Sequence, residues 1–355
     1  MDHNKVEEFL GRAVSEMATV EAAATAYLGD QLGLYQALAG AGPMTSDELA
    51  ECTGTQERLV REWCHAQVAG GYLDYDSNGG DPAVATFELP PEHAAVLADP
   101  DSPVYLAGIL EIAAAMWAST DRVAAAFRDG GGVGWHEHDP RLFRGVERLF
   151  GPIYRHQLVA EWIPALDGVE DKLRAGARIA DIGCGHGVST ITLAQAFPAS
   201  TITGFDYHEP SIEVARKAAT EAGVSDRARF EVVAAAAFPG GGYDLICLFD
   251  CLHDMGDPVG AARHARAALT DDGTVLLVEP KAGDDLTENL NPVSRLYYAG
   301  SVFLCTPSSL AQDGAHGLGA QAGQARLAEV FREAGFTRFR RATETPFNLV
   351  LEARP

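Results

Sequence analysis

Hydrophobic residues in the second half of the chain fall into short runs separated by alanine-rich stretches. From about Leu173 onward, runs rich in β-branched and aromatic residues predict strands, among them Gly273 to Glu279, and the stretches between them predict helices. This alternation is typical of an α/β domain with an open, mostly parallel sheet. Near the C-terminus, Thr337 to Arg341 and Pro346 to Glu352 predict two strands joined by a turn around Thr343-Glu344.

The first segment has a different pattern, in which helices precede a short hairpin. Thr45-Ser46-Asp47-Glu48 predicts a helix start, because a side-chain oxygen accepts hydrogen bonds from free amides and an acid favours the first turn. A second helix begins at Thr55 and ends at Gly70-Gly71. Two strands, Tyr72 to Tyr75 and Ala85 to Leu89, then flank a Gly/Asp turn. Together these elements predict a winged helix.

A helical connector joins these two patterns and includes a predicted helix from Arg141 to Trp162. We therefore expect three parts: a winged-helix dimerisation domain over 1–95, a connector that caps an acceptor pocket over 96–166, and a Rossmann-like ligand-binding domain over 167–355.

Charge changes how the winged helix is interpreted. The chain has 355 residues, with 27 Lys+Arg against 50 Asp+Glu and a net charge of −23. Residues 1–95 contain four basic and sixteen acidic residues, so they have no basic face with which to displace counterions from DNA. We expect this domain to serve in dimerisation or as a pocket wall, with no nucleic acid or membrane as partner.

Targeting and cysteine patterns point to a reducing compartment. No apolar run is long enough to span a bilayer, and the N-terminus lacks the pattern of a signal peptide, so we expect a cytoplasmic protein. The six cysteines form no CxxC pair, and Cys247 and Cys251 are interpreted as packed thiols.

The sharpest local pattern is a glycine-rich loop after a predicted strand. Arg178 to Ile182 leads into Gly183-Cys184-Gly185-His186-Gly187, and a helix follows. Closely spaced glycines let a ligand approach the backbone, and the helix start offers free amides. The next strand ends in Asp206, where an acid at a strand tip can bind ribose hydroxyls.

Two cofactors fit this loop, and its spacing favours one. The dinucleotide fingerprint is GxGxxG, whereas this chain has GxGxG with Val188 at the position of the third glycine. Asp181, just before the first glycine, suits an ammonium better than a pyrophosphate. S-adenosylmethionine carries an ammonium, a ribose and a sulfonium but no phosphate, so we favour it over NAD(P).

These segments resemble the successive motifs of class I S-adenosylmethionine-dependent methyltransferases. The resemblance rests on Asp181 to Gly187, Gly204 to His208 and Tyr243 to Ile246. With the winged-helix front it extends to small-molecule methyltransferases, many of them natural-product O-methyltransferases. It implies a seven-stranded Rossmann-like sheet whose C-terminal hairpin supplies the antiparallel edge. It also implies cofactor contacts, expected from Asp181, Gly183, Cys184, Gly185, Gly187, Asp206, Tyr207, Ala235, Phe238 and Asp250.

One segment departs from the family pattern. After the third strand the family usually has an acid that contacts the adenine amine, but here the chain reads Val232 to Phe238 with no acid. Backbone amides with Ala235 and Phe238 as apolar neighbours are left to hold the adenine, so we expect weaker adenine recognition.

The candidate chemistry follows the fourth strand. Asp250 to Pro258 is similar to the His-Asp-Trp-x-Asp motif of winged-helix O-methyltransferases, with Met255 in place of the tryptophan. The resemblance implies that His253 deprotonates the acceptor and that Glu279 orients it, whereas a second orienting acid falls near Gln321. A hydrogen-bonded turn histidine is the alternative interpretation of His253.

Other clusters support only weaker hypotheses. Arg155, His156, Tyr297 and Tyr298 are candidate acceptor contacts, although core packing would also explain the tyrosines. Basic residues recur along the connector helix, and we expect them to pair with Glu147 and Glu161 or else to meet an acidic or phosphorylated acceptor; they are Arg144, Arg148, Arg155 and His156. The run from His136 to Asp139 is interpreted as a solvated cap or a pocket rim; its two histidines and nearby carboxylates could also hold a divalent metal, but we favour no metal site.

Four functions remain open from the sequence, one of which is an NAD(P)-dependent oxidoreductase. The favoured one is O-methylation of a small molecule by a homodimer, with His253 as general base. Transfer to nitrogen or carbon would need positioning alone. A winged-helix regulator that only binds S-adenosylmethionine is the non-enzymatic alternative.

Overall fold

The computed structural model describes all 355 residues. They divide into two compact units. The N-terminal unit comprises Met1–Ala114 and Arg144–Pro152, and the C-terminal unit comprises Ala115–Phe143 and Ile153–Pro355. Residues of the segment 96–166 occur in both units, and the expected role of this segment as a cap stays a prediction.

The N-terminal unit is a helical domain with a small antiparallel sheet. Its sheet has the strand order β1-β3-β2, so the predicted wing, β2 with β3, is present. The elements in chain order are α1 (His3–Gln31), α2 (Leu34–Leu38), β1 (Met44–Thr45), α3 (Ser46–Thr53), α4 (Glu57–Ala69), β2 (Asp74–Asp76), β3 (Thr86–Glu88) and α5 (Pro91–Leu97).

The predicted start of α3 is confirmed by its capping contacts. The Glu48 backbone amide donates to Oγ1 of Thr45 at 3.3 Å, and the Thr45 amide donates to the Glu48 carboxylate at 2.8 Å. This reciprocal pair satisfies two amides that have no partner within the helix.

The core of this unit forms around an aromatic pair. The rings of Tyr35 and Trp63 meet edge to face with centroids 5.1 Å apart. Tyr35 donates to the Gln67 side chain at 2.6 Å, and the Trp63 indole donates to the Thr25 carbonyl at 2.8 Å. A Cβ at position 29 would lie 2.4 Å from the Trp63 ring, so only glycine lets α1 approach α4 this closely.

Two arginines of the connector form ion pairs within the N-terminal unit with acids from distant segments that the sequence did not indicate. Arg148 binds both carboxylate oxygens of Asp30, at 2.7 and 2.8 Å, and also contacts Glu111 at 3.2 Å. Arg144 binds Glu111 at 2.7 Å. The expected partners Glu147 and Glu161 were chosen from helical spacing alone, which carries no information about acids from distant segments. An acidic acceptor for Arg144 and Arg148 is therefore not supported.

The connector is helical, as expected, but one of its helices changes type. The predicted helix from Arg141 to Trp162 begins as an α-helix and continues from Tyr154 as a π-helix. Pro152 lies just before this change and removes one i→i−4 hydrogen bond because it has no N–H. The elements are α6 (Gly108–Ala118), α7 (Thr120–Asp129), a 3₁₀ turn (Trp135–Glu137), α8 (Arg141–Ile153), the π-helix (Tyr154–Trp162) and α9 (Val169–Ala175).

The C-terminal unit contains the predicted α/β sheet. Its seven strands have the order β6-β5-β4-β7-β8-β10-β9, with β10 antiparallel to both neighbours and the β6–β8 side parallel. The elements are β4 (Arg178–Ile182), α10 (Val188–Ala196), β5 (Thr201–Asp206), α11 (Glu209–Glu221), β6 (Ala228–Val232), β7 (Tyr243–Phe249), a 3₁₀ turn (Leu252–Asp254), α12 (Pro258–Ala268), β8 (Leu269–Pro280), α13 (Pro292–Gly300), a π-helical turn (Ser301–Cys305), α14 (Thr306–Leu310), α15 (Gly323–Glu333), β9 (Arg338–Glu344) and β10 (Asn348–Arg354).

The C-terminal hairpin is confirmed, but its turn lies later than predicted. Strand β9 continues to Glu344, and the chain turns at 345–347. Thr345 closes this turn, since its hydroxyl accepts the amides of Phe347 and Asn348 at 3.0 and 2.8 Å. The prediction of a turn at Thr343-Glu344 was therefore wrong by about two residues.

The strand order fixes where a ligand site is expected. Strand β4 lies between β5 and β7, so the connections leave it in opposite directions on its two sides. In open α/β sheets such a switch point leaves a crevice at the carboxyl ends of the strands, where ligands bind. The glycine-rich loop follows β4 at this edge. No helix of the protein combines the length and the apolar character of a membrane span.

Candidate active site

The three glycines of the loop have left-handed backbone conformations for different reasons. Their φ angles are +72° at Gly183, +51° at Gly185 and +80° at Gly187. A Cβ at Gly183 would lie 2.9 Å from Sγ of Cys251, and one at Gly187 would lie 2.7 Å from the Phe230 ring. A Cβ at Gly185 would meet nothing within 4 Å, so Gly185 borders open space that a ligand can fill.

Asp206, at the end of β5, holds the loop in this conformation. Its carboxylate accepts the amides of Gly185 at 3.0 Å and of His208 at 2.8 Å. Burial raises the pKa of Asp206, and these two hydrogen bonds partly offset that effect. The next residue, Tyr207, is exposed at the strand tip. Asp206 and Tyr207 therefore lie beside the glycine loop, as expected for residues at the end of the strand next to β4.

Asp181 is fully buried and only half of its carboxylate is satisfied. Oδ2 accepts the hydroxyls of Ser189 and Thr190, each at 2.6 Å. Oδ1 is buried and has no hydrogen-bond partner. Burial raises the pKa of this acid to about 6. An unpartnered buried carboxylate oxygen is costly, and a ligand that brings an N–H donor would satisfy it.

The segment after β6 has a backbone contact to the same strand tip. The Val233 amide donates to the Asp206 carbonyl at 2.9 Å. Ala235 is half-buried, whereas Phe238 is 1% exposed and packs in the core against Phe205 and His264. The role of Ala235 and Phe238 toward an adenine stays a prediction, and the burial of Phe238 leaves its ring little free surface.

His253 and Glu279 lie in direct contact, as the resemblance implied. Nδ1 of His253 lies 2.5 Å from Glu279, whose other oxygen accepts the Leu252 amide at 3.0 Å. Burial alone lowers the pKa of His253, but the Glu279 carboxylate, together with Cys305, outweighs it and raises this pKa well above its ordinary value. Because Nδ1 faces Glu279, Nε2 is the ring nitrogen left for the Cys305 side chain, which also interacts with His253, or for an acceptor.

The region expected to hold a second orienting acid contains an amide instead. Gln321 donates through Nε2 to the carbonyls of Lys281 and Ala320, at 3.2 and 3.1 Å. Its buried Oε1 has no partner. Glu279 is therefore the acid that contacts His253 directly.

Asp250 has an unusual backbone and two partners that the sequence did not indicate. Its φ is +49°, a left-handed value that is uncommon outside glycine. Its carboxylate accepts Nδ2 of Asn348 at 2.9 Å and the Tyr154 hydroxyl at 3.3 Å. Burial, together with the Glu279 charge, raises its pKa to about 8. No local sequence pattern links these three residues, because each contact spans more than ninety residues.

The predicted acceptor contacts are not all equally enclosed. Tyr297 is half-buried and donates to the Phe347 carbonyl at 2.9 Å. Its hydroxyl also interacts electrostatically with Asp250. Tyr298 is also half-buried. Arg155 and His156 are exposed on the π-helix. Tyr297 therefore lies beside Asp250, and the acceptor roles of Tyr298, Arg155 and His156 stay predictions.

The side chains from His136 to Asp139 have separate partners. Glu137 accepts the Gly134 amide at 2.7 Å, and Asp139 binds Arg141 at 2.7 Å. Buried His138 contacts the Ser119 hydroxyl at 3.3 Å, and burial lowers its pKa to about 4. The His136 ring lies edge-on to Tyr207, with centroids 6.5 Å apart.

Two family models match the chain. One describes a methyltransferase domain and covers residues 154–337, more than half of the chain. The chain belongs to the methyltransferase family. The other describes an Rv2258c-like winged HTH domain and covers residues 21–99, which confirms the predicted winged helix.

Curated relatives match over part of their length. The ubiquinone biosynthesis O-methyltransferase of Bordetella avium is 31% identical over 42% of this chain and 58% of that protein. The 27-O-demethylrifamycin SV methyltransferase of Amycolatopsis mediterranei is 36% identical over 30% of this chain and 39% of that protein. This methyltransferase chain thus spans less than two thirds of each of these relatives.

Solved structures match nearly the whole chain. PigF with SAH has a TM-score of 0.73 at 19% identity and covers 97% of this chain and 98% of that one. The mitomycin 7-O-methyltransferase MmcR has a TM-score of 0.70 at 22% identity and covers 99% and 100%. At these identities the likeness establishes the fold alone.

The cofactor of this methyltransferase is S-adenosylmethionine. The residues at the carboxyl edge of the sheet fit it in three respects. Open space beside Gly185 lets a ligand reach the backbone, and the unpartnered oxygen of Asp181 can accept an N–H. The hydrogen bonds to Asp181 and Asp206 come from hydroxyls and backbone amides, so no cationic side chain occupies either carboxylate in them. A dinucleotide would instead bring a pyrophosphate next to two buried acids.

Proposed function

We propose that this methyltransferase acts on a hydroxyl group of a small-molecule acceptor, as part of secondary metabolism, with His253 as the general base. The observation that carries the proposal is the buried contact between His253 and Glu279 at the carboxyl edge of the sheet. The names of the relatives and structural neighbours, which include ubiquinone, rifamycin and mitomycin O-methyltransferases, support transfer to oxygen.

The chemistry of the base follows from the ring geometry. When bound, S-adenosylmethionine supplies an electrophilic methyl group on a sulfonium. Glu279 holds Nδ1–H of His253, so Nε2 is the atom that takes the acceptor proton. The nearby carboxylate stabilises the imidazolium that forms, and the buried position of the ring excludes water from this proton transfer.

The same contact sets the direction of the pH dependence. Only the neutral imidazole can take a proton, and Glu279 raises the pKa of His253. The value of kcat/KM should therefore rise with pH through a value above the ordinary histidine range.

Binding roles are proposed for the residues predicted from the sequence. Asp181, Gly185 and Asp206 have the geometric support described above, and Gly183 and Gly187 shape the loop. Further proposed cofactor contacts are Cys184, Tyr207, Ala235, Phe238 and Asp250. Proposed acceptor contacts are Tyr297, Tyr298, Arg155 and His156.

We also propose that the protein is a homodimer joined through its first helix. Helix α1 presents exposed apolar side chains along much of its length. They include Phe9, Leu10, Val14 and Met17, each 59–65% exposed. A second copy would remove this surface from water. Sedimentation of the wild type and of the double variant Phe9→Glu/Met17→Glu tests this. We expect the wild type to be a dimer and the variant a monomer, and a monomeric wild type would contradict the proposal.

The alternatives carried from the sequence have less support. Transfer to nitrogen or carbon needs no base, and it leaves the His253–Glu279 contact without a chemical role. A regulator that only binds the cofactor needs DNA contact from a domain with sixteen acidic and four basic residues.

The test is a methyl-transfer assay with defined acceptors. The purified protein is incubated with methyl-labelled S-adenosylmethionine and a panel that includes catechol, 27-O-demethylrifamycin SV and the matched amine 2-aminophenol. Mass spectrometry then locates the methyl group. Methylation on oxygen supports the proposal, whereas methylation of 2-aminophenol on nitrogen alone contradicts it.

A further inference from the structure

Two adjacent hydroxyls bind the same oxygen of one buried acid. Ser189 and Thr190, in the first turn of α10, each donate to Oδ2 of Asp181 at 2.6 Å. The three residues are 3%, 0% and 0% exposed. Oδ1 of Asp181 has no donor. The protein therefore saturates one oxygen of this carboxylate and leaves the other one unsatisfied.

The helix start explains why these hydroxyls are available. Serine and threonine at a helix N-terminus usually accept from free backbone amides. Here the N-cap is Gly187, which makes no side-chain cap bond, and the two hydroxyls act as donors toward β4 instead. Asp181 is the penultimate residue of β4, the strand at the switch point of the sheet, and ligands bind at the carboxyl end of such a strand.

We propose that Ser189 and Thr190 are positioning residues for cofactor recognition, holding Asp181 by Oδ2 so that Oδ1 accepts an N–H from the ammonium group of S-adenosylmethionine. The inference rests on the cofactor assignment and deepens it, because it names the groups that recognise the amino-acid end of the cofactor. An ammonium supplies both the missing donor and an opposite charge, whereas the ribose supplies no charge.

The hydroxyls also keep Asp181 charged. Burial raises the pKa of Asp181, and the bonds from Ser189 and Thr190 lower it. Without both hydroxyls the acid would take up a proton closer to neutral pH and lose its attraction for an ammonium. The other titratable groups that interact electrostatically with Asp181 are Asp206, Tyr154, Cys184, Cys247 and Cys251.

Most of those neighbours do not change charge near neutral pH. Burial raises the pKa of Tyr154 and of the three thiols, so they stay neutral. Asp206 is the acid that also titrates, and it has no contact with Ser189 or Thr190 among its own hydrogen bonds. A pH effect that appears only when the two hydroxyls are removed is therefore assigned to Asp181.

The experiment compares two ligands that differ only at the amino-acid end. S-adenosylhomocysteine carries the ammonium and the carboxylate of the amino acid, and 5′-methylthioadenosine has the same nucleoside and thioether without either group. Calorimetry measures both affinities for the wild type, Ser189→Ala, Thr190→Val, the double variant, and the conservative variants Ser189→Thr and Thr190→Ser. Thr192→Val is the matched control, since its hydroxyl bonds to the Val188 carbonyl in the same helix at 2.8 Å.

The expected result is a selective loss. At pH 7 the double variant should bind S-adenosylhomocysteine about tenfold or more weakly, because hydrogen bonds to charged groups are worth that much. Its affinity for 5′-methylthioadenosine should not change. Thr192→Val and the two conservative variants should match the wild type. On acidification, the double variant should lose S-adenosylhomocysteine affinity at a higher pH than the wild type does.

Two outcomes would overturn the inference. Unchanged S-adenosylhomocysteine affinity in the double variant would show that the hydroxyls do not act on recognition. Equal weakening of both ligands would show a structural role in the loop. If the double variant does not fold, the single variants give the same comparison. Failure of the wild type to bind S-adenosylhomocysteine would instead contradict the cofactor assignment itself.

Discussion

The carboxylate of Glu279 lies 2.5 Å from Nδ1 of His253, and this contact determines which ring nitrogen is available for chemistry. The second oxygen of Glu279 holds the Leu252 amide, so the acid fixes both the turn and the ring orientation.

Replacement of Glu279 by glutamine should separate these two roles. Glu279→Gln keeps a hydrogen-bond acceptor for the Leu252 amide but removes the charge that raises the pKa of His253. Because the proposed base is the neutral imidazole, the rising limb of kcat/KM against pH should move to lower pH, while the maximal rate falls. Glu329→Gln, at an exposed ion pair with Arg326, is the control. An unshifted profile would contradict the role given to Glu279.

Substitutions of two loop glycines should affect ligand binding and stability differently. Gly185→Ala adds a methyl group to open space and should weaken S-adenosylhomocysteine binding with a modest loss of stability, about 1 kcal/mol from its left-handed backbone. Gly187→Ala places the methyl group 2.7 Å from Phe230 and should lower the melting temperature markedly. Calorimetry and thermal unfolding test the two variants. Normal ligand binding by Gly185→Ala would contradict the inference that a ligand fills the open space beside Gly185.

The acid Asp250 should make the fold less stable as pH rises. Its pKa is about 8 in the folded protein and near 4 in an unfolded chain, so unfolding releases a proton between these values. The unfolding free energy contributed by this group therefore falls from about pH 4 to pH 8 and then levels off. Asp250→Asn removes this effect and keeps a residue type that tolerates a left-handed backbone.

Melting temperatures of the wild type and Asp250→Asn should thus diverge across this interval. The melting temperature of Asp250→Asn should rise relative to that of the wild type from pH 5 to pH 8. A constant difference would mean that the carboxyl group is not held protonated. Asp250→Ala should be less stable than Asp250→Asn at every pH, because it loses the bonds from Asn348 and Tyr154.

Arg148 should matter for stability because it pairs with buried acids. Arg148→Ala leaves Asp30 and Glu111, 8% and 2% exposed, without this partner. Breaking a buried ion pair on one side costs about 3 kcal/mol. Urea unfolding should show a loss of that order, whereas Arg326→Ala, at an exposed pair, should change stability by less than about 1 kcal/mol. Equal effects would contradict the importance of burial.

The sequence predicted the elements that depend on local chemistry. The capping pair of Thr45 and Glu48, the glycine loop after β4 and the C-terminal hairpin all follow from short-range patterns, and the structure contains each of them. The contact of Glu279 with His253 was implied by the resemblance; His253 follows β7, and Glu279 lies near the end of the neighbouring parallel strand β8.

Contacts between distant segments were not predictable in this way. Spacing suggested Glu147 and Glu161 as partners of the connector arginines, but Arg148 reaches Asp30, 118 residues away. The partners of Asp250 were missed for the same reason. The hydroxyls of Ser189 and Thr190 carried a weak signal, since two hydroxyl residues directly after a glycine loop face the strand that precedes it.

The most direct test of the account is the His253→Ala variant in two assays. With a hydroxyl acceptor from the methyl-transfer panel, we expect kcat to fall by about 10²–10⁴-fold, the usual worth of general-base catalysis. Calorimetric affinity for S-adenosylhomocysteine should stay within about twofold of the wild type, since the role proposed for His253 is toward the acceptor and not the cofactor. A variant that retains near-normal turnover with that acceptor would contradict the account and leave His253 as a turn histidine.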